Sequence, residues 1–285
     1  MYIMATNIQI PVLPRLNSSD SKATQGEQSM INKKILAVTV AVMLMCAGGL
    51  FCFGNTISDT HAQQTKASEV LQTEAVALPQ ETIPEAEQFD IGNGNVYLAQ
   101  YQYDESVHQL VLVRQSELDI SGATLYLLEK NKYNQWHMIM ECPAYIGENG
   151  LDKTREGDRK TPRGDFSLSH AMGIKPDPGS IMTYTVITDS MYACGDPEYY
   201  NQIIDTAYVA HECGSNSEHL IDYIPQYNYT LYVDYNPQNE YGKGSAIMLH
   251  CFGSYPYTMG CIAIAEENMI KVLQTVSNGS RICIY

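Results

Sequence analysis

Apolar positions fall into three regimes along this 285-residue chain. Ile35–Phe53 (ILAVTVAVMLMCAGGLFCF) runs for nineteen residues without a charge. Residues 63 to about 95 show little apolar periodicity, and from about residue 96 short apolar runs alternate with Gly, Asn, Asp and Pro. At 1.5 Å per residue a nineteen-residue helix spans about 28 Å, close to the thickness of a bilayer core. The pattern predicts a transmembrane anchor over 35–54, with 1–34 cytoplasmic because Lys33 and Lys34 flank its start. A cleavable signal peptide is the alternative: Thr60-His61-Ala62 loosely resembles a small-x-small cleavage site, and Met30 reads as a possible start. Both versions place the remainder outside the cytoplasm, as a single-pass membrane protein or a secreted wall protein.

Residues 55–95, rich in Gln, Thr, Ala, Glu and Pro, predict a flexible stalk. The rest, 96–285, predicts one domain. Its apolar runs at Gln109–Arg114, Thr124–Glu129, Trp136–Cys142, Thr183–Thr188, Thr230–Tyr235, Ser245–His250 and Arg281–Tyr285 have strand lengths and turn residues at their ends. One helix stands out over Glu266–Val276, where Met269, Val272, Leu273 and Val276 make an i, i+3, i+4, i+7 face before Asn278-Gly279. The fold class is mainly β with few helices.

Charge sharpens this division. Of seventeen Lys+Arg and thirty-two Asp+Glu, residues 1–62 hold four and three, so the formal −15 is concentrated in 63–285. So large an acidic excess argues against nucleic acid as a partner, which would need basic patches to neutralise phosphates. A hydrophobic content of 45% excludes a wholly disordered chain.

Candidate chemistry centres on Ala246–Ile264. His250 closes an apolar run, a loop rich in Gly, Ser, Pro and Tyr follows, and Cys261 comes after Gly260 at the start of another apolar run. An imidazole brought beside a thiol can take its proton, and amides at Gly260 and Cys261 can form an oxyanion hole. Cys142, Cys194, Cys213, Cys251, Cys261 and Cys283 also allow disulfides, whose pairing stays open. A zinc site from His211, Cys213, His219, His250 and Cys251 is disfavoured by the lack of a CxxC or HExxH pattern, so no metal or cofactor is expected. Residues 153–163 hold Lys153, Arg155, Arg159, Lys160 and Arg163 against Glu156 and Asp158, and Thr161-Pro162-Arg163-Gly164 fixes a turn. Such a loop suits carboxylates on an anionic ligand. Tyr223, Tyr227, Tyr229, Tyr232, Tyr235 and Tyr241 cluster just before His250, a pattern more typical of packing than of a binding wall.

Four segments occur in order: Ala144-Tyr-Ile-Gly-Glu-Asn-Gly150, Glu156-Gly-Asp-Arg-Lys-Thr-Pro-Arg-Gly-Asp-Phe166, Ser217-Glu-His-Leu-Ile-Asp222, and Met248-Leu-His-Cys251 with Thr258-Met-Gly-Cys261. Together, over roughly 108–285, they resemble the L,D-transpeptidase catalytic domain (YkuD-like) family, in a divergent Gram-positive subgroup. The resemblance implies an L,D-transpeptidase-type β-sandwich acting on the peptide stems of peptidoglycan. It implies Cys261 as nucleophile, His250 as base, and oxyanion amides at Gly260 and Cys261. Thr161, Pro162 and Gly164 match the family's Thr-Pro-x-Gly turn. Arg159, Lys160, Thr161, Arg163 and His219 are the candidate substrate-binding residues. The family's reaction releases D-Ala from tetrapeptide stems and forms 3→3 cross-links during cell wall biogenesis.

Two positions depart from the family pattern. Met259 stands where the second His of Ser/Thr-His-Gly-Cys belongs, and Ala263 replaces the usual Arg two residues after the Cys. The loop between His250 and Cys261 is also shorter than usual. Hydrolysis of the same acyl-enzyme, as an L,D-carboxypeptidase, and a catalytically decayed wall-binding module are therefore alternatives. The sequence does not address the oligomeric state.

Overall fold

A computed structural model describes residues 83–285 of the chain. The expected cytoplasmic segment 1–34, the anchor or signal at 35–54 and most of the stalk lie outside the described residues. Among the described residues no helix is long and apolar enough to cross a membrane.

In chain order, helix α1 (Asn95–Tyr101) leads into strands β1 (Gln109–Gln115), β2 (Gly122–Lys130), β3 (Trp136–Tyr145) and β4 (Gly164–Gly173). Short strands β5 (Tyr184–Val186), β6 (Met191–Cys194), β7 (Gln202–Asp205) and β8 (Glu218–His219) follow. The chain ends with β9 (Thr230–Val233), β10 (Met248–Cys251), β11 (Ile262–Ile264), helix α2 (Glu266–Leu273) and β12 (Arg281–Ile284). Nine strands form one sheet in the order β12-β1-β2-β3-β11-β10-β9-β4-β5, and β4 also pairs with β12. That last pairing closes the ladder on itself. The sandwich implied by the resemblance is thus a single sheet folded round one core, which removes all edges but those at β5.

Period-two alternation in β1 and β2 explains how both faces are buried. Val111, Val113, Leu125 and Leu127 point into the closed sheet. Leu110, Leu112, Tyr126 and Leu128 point outward and are covered by Ile91, Leu98, Tyr101 and Val107. Strands covered on both sides read as continuous apolar runs, here LVLV. Ile91, assigned to the stalk by sequence, is fully buried, so packed structure begins upstream of residue 96.

The same device operates on the opposite side. A second sheet, ordered β7-β6-β8, lies over the outer face of β4, β9 and β10, where Met191, Ala193, Leu220 and Tyr227 pack on Met172, Tyr232 and Met248. Sequence pattern did not reveal β6, β7 or β8, whose four-residue and two-residue lengths carry too few alternations. It also missed β4 (GDFSLSHAMG), whose first half is polar and only half-buried. Its ladder shifts register between Ser169 and Ala171. Helix α2 forms where expected, with Met269, Val272 and Leu273 buried and Glu266 and Glu267 in its first turn.

Candidate active site

Strands β10 and β11 run parallel, with Leu249 opposite Ile262 and His250 opposite Ala263. Parallel neighbours usually need a crossover of about a dozen residues or more. Here residues 252–261 suffice because the loop is fastened midway: the Thr258 N–H donates to Ile146 O (2.9 Å) and the Glu148 N–H to Thr258 O (3.0 Å). Extending the register by one residue brings Cys261 beside Met248, whose N–H lies 3.4 Å from Sγ. Side chains two apart share a face. Cys261 and His250 therefore sit one diagonal step apart on the outward face, and both line a cavity of about 330 Å³.

The Cys261 thiol donates to Ala246 O at 3.3 Å. Burial pushes this thiol up to about 12, the charge of Glu218 adds to the rise, and the Met248 N–H opposes it. His250 is buried, with Tyr227 edge-on at 5.6 Å. Its Nδ1 lies 2.7 Å from Cys251 O. A carbonyl only accepts, so Nδ1 carries the ring proton and Nε2 keeps the lone pair. Burial lowers the imidazole to about 4, against the opposing pull of that carbonyl. At neutral pH the resting pair is thus an uncharged thiol and an uncharged base.

Two hydroxyls hold the backbone at Cys261. Thr161 Oγ1 donates to Cys261 O at 3.2 Å and accepts from the Gly147 N–H at 2.8 Å. Thr258 Oγ1 donates to the same carbonyl at 2.6 Å and accepts from the Gly260 N–H at 3.1 Å. Gly260 has φ +150°, and a Cβ there would lie 3.0 Å from Lys160 O, so glycine is required for the close approach. Thr161, chosen by sequence as a substrate contact, is fully buried and supports the Cys261 backbone instead.

The remaining sequence-chosen residues lie elsewhere. Arg159 pairs with Glu148 at 2.5 Å and Arg163 with Asp152 at 2.9 Å. Lys160 is half-buried. The loop is organised from within by a buried pair, Lys153 Nζ to Asp158 at 2.9 Å. Burial acts to raise the Asp158 carboxyl, but the Thr154 N–H, the Lys153 ammonium and the N–H groups of Lys160 and Arg155 outweigh it and hold it at about 2. The cation whose field reaches Cys261 is Lys153, a member of the basic loop that was not among the candidate substrate-binding residues. His219 stacks on Tyr192 at 4.6 Å and bonds Asp222 through Nδ1 (2.9 Å).

The strand neighbour of His219 enters the cavity in its place. Glu218 lines the wall and accepts from Tyr227 OH at 2.6 Å. Burial raises its carboxyl above the ordinary range, partly offset by that phenol. Tyr223 and Tyr227 line the same cavity, so part of the tyrosine cluster is a wall after all. Period two around His219 was the available signal for Glu218. Met259 is exposed at the rim and Ala263 is buried in the wall, where the family's usual His and Arg would stand. A larger cavity of about 710 Å³, lined by Asp165, His170, Tyr232 and Arg281 among others, contains no cysteine.

The cysteines and histidines considered for zinc separate into different places. Cys251 is buried in the core with Sγ near Tyr229 O, and His250 belongs to the Cys261 cavity. His211 and Cys213 meet Cys194 at the end of β6. All six cysteines of the described residues are free thiols.

The L,D-transpeptidase catalytic domain (YkuD) family model matches residues 114–284. Among solved structures, an L,D-transpeptidase from Mycobacterium smegmatis is 14% identical, with a TM-score of 0.28 over 61% of this chain and 58% of that one. L,D-transpeptidase 1 of Mycobacterium tuberculosis is also 14% identical, with a TM-score of 0.28 over 62% of each chain. The chain thus spans about three-fifths of the length of these structures. No curated protein sequence matches it. By the extent of the family match, which takes in both Cys261 and His250, the chain belongs to the YkuD family of L,D-transpeptidase catalytic domains.

Proposed function

We propose that the chain is a cysteine-dependent peptidoglycan L,D-transpeptidase working outside the cytoplasmic membrane. The observation that carries this reading is the shared outward face of Cys261 and His250 in one cavity, with the imidazole held neutral. A tetrapeptide stem presents the carbonyl between diaminopimelate and the terminal D-Ala. Sγ turns from Ala246 O and attacks that carbon while its proton passes to His250 Nε2. The amides of Cys261 and Gly260 receive the oxyanion, the latter by exchanging its bond to Thr258 Oγ1. The C–N bond breaks, His250 returns its proton to the departing D-Ala amine, and a thioester remains on Cys261. An amine from a neighbouring stem then attacks the thioester and gives up a proton to His250, which reprotonates Sγ as the 3→3 bond forms. Glu218, in the cavity wall, supplies the acidic group an incoming ammonium meets. Arg159, Lys160, Arg163 and His219 lie outside the lining of the cavity and serve the distal parts of a stem.

Incubation of the purified protein with a carbapenem should add one ligand mass, and the Cys261→Ala variant should add none. Equal labelling of both proteins refutes Cys261 as nucleophile. With tetrapeptide muropeptides, 3→3 dimers identify transfer. Tripeptide alone identifies hydrolysis and turns the assignment to an L,D-carboxypeptidase. Binding to sacculi with no turnover identifies a decayed module.

A further inference from the structure

Away from the Cys261 cavity, three groups with soft or imidazole donors converge where the end of β6 meets the loop between β7 and β8. Cys194 Sγ lies 3.5 Å from His211 Nε2, and the donor atoms of Cys194, His211 and Cys213 all lie within 4.8 Å of one another. The same Nε2 is 3.1 Å from Asp196 Oδ2. A tetrahedral zinc ion, with bonds of about 2.3 Å to sulfur and about 2.0–2.2 Å to nitrogen and oxygen, sets neighbouring donors about 3.3–3.8 Å apart. Two of the observed separations are already at or near that spacing. The Cys213 sulfur, within 4.8 Å of the other two donors, needs a shift of at most about an ångström to join them.

A catalytic triad is the obvious competitor for a Cys, a His and an Asp. It does not fit. Cys194 and Asp196 approach the same ring nitrogen, whereas a relay needs an acid hydrogen-bonded to the opposite one. The acid that faces it, the exposed Glu198, stands 3.8 Å from Nδ1, too far for a hydrogen bond. Cys194 is also 1% exposed, so no substrate carbonyl reaches its sulfur. Two sulfurs, an imidazole and a carboxylate, with Cys194 buried and the other three partly buried, are instead the donor set of a tetrahedral metal site.

We propose that Cys194, His211 and Cys213 bind one Zn2+ ion, with Asp196 as the fourth ligand. The donors come as two pairs with one residue between, Cys194-Gly195-Asp196 and His211-Glu212-Cys213, which is why a search for CxxC spacing passes them by. Gly195 permits the approach of the two segments: a Cβ there would lie 2.2 Å from Asn216 O. The ion pins residues 206–217, which among themselves form no strand or helix, to the end of β6. Five residues after Cys213 the chain reaches Glu218 in the Cys261 cavity, so the site anchors one wall of that cavity.

The test uses the full-length protein, purified in detergent and kept reduced under argon. Titration with Co2+ should give one equivalent of tight binding with thiolate charge-transfer and tetrahedral d–d absorption, both displaced by Zn2+. Cys213→Ser and His211→Gln should each lose the absorption and the rise in Tm that Zn2+ gives the parent, while Cys142→Ser, at a buried thiol outside the cluster, keeps both. Circular dichroism of the two variants confirms that they fold. Absence of the cobalt spectrum in the fully reduced parent overturns the proposal. So does a Cys194–Cys213 disulfide peptide in a non-reducing map of the protein as isolated. Neither result bears on carbapenem acylation of Cys261, so this site and the transpeptidase reading stand or fall separately.

Discussion

The hydroxyl of Thr161 donates to the carbonyl of Cys261 across a hundred residues of sequence, 3.2 Å away, while the same oxygen accepts from Gly147. The Thr-Pro-x-Gly turn thereby fixes the peptide that carries Cys261, from behind the cavity.

Thr161→Val keeps the shape of that side chain but strands a buried N–H and removes one bond to the Cys261 carbonyl. Leaving a buried donor unsatisfied costs about 1–3 kcal/mol, so the variant should melt several degrees lower. Its carbapenem acylation should slow, and Thr161→Ser should restore most of both losses. Unchanged acylation in a folded Thr161→Val protein shows that the turn does not position Cys261.

Thiol reactivity should report an uncharged resting pair. With Cys261 at about 12 and His250 at about 4, the thiolate fraction rises about tenfold per pH unit across neutrality. Iodoacetamide labelling of Cys261, followed by peptide mass, should climb in that way from pH 7 to pH 9. A rate already level below pH 7 indicates a thiolate–imidazolium pair.

His250 should make the fold sensitive to acid. Its folded value lies below the ordinary 6.5, so the folded state holds fewer protons than the unfolded state between about 6.5 and about 4. The stability it supplies is complete above the upper figure and is lost as pH falls through the lower one, a contribution on the order of 3 kcal/mol. Urea unfolding of the parent and of His250→Phe at pH 7 and pH 4 isolates it: the parent should lose more. Equal losses dismiss the buried imidazole as the cause.

Glu218 should separate the two half-reactions. Its charge contributes to the raised Cys261 value, so Glu218→Gln should speed iodoacetamide labelling near pH 8. If the carboxylate also meets the acceptor ammonium, transfer to an amine should slow in the same variant while acylation does not. Slower labelling contradicts the electrostatic part, and unimpaired transfer contradicts the acceptor role.

Much of the fold was legible because its signals are local. Buried strands such as β1 and β2 announce themselves through Val and Leu runs bounded by turn residues, and α2 through a single apolar face ending near Gly279. The motif around Cys261 and the family resemblance were likewise readable, because they depend on which residues occur in which order.

Burial and partnership were not readable, since they depend on what the closed sheet brings together. Sequence offered a basic loop as a ligand contact. The structure instead spends Lys153, Arg159 and Arg163 on Asp158, Glu148 and Asp152. It chose His219, yet the two-residue period of β8 turned its neighbour Glu218 into the cavity. It found no metal pattern, because Cys194 and the His211–Cys213 pair meet only through the packing of the second sheet. The sequence by itself determined the elements, the Cys261–His250 motif and the family. Only the tertiary structure decided which charges are neutralised, which face of each strand meets the cavity, and which distant side chains share a site, because solvation and distance are properties of the folded chain rather than of residue order.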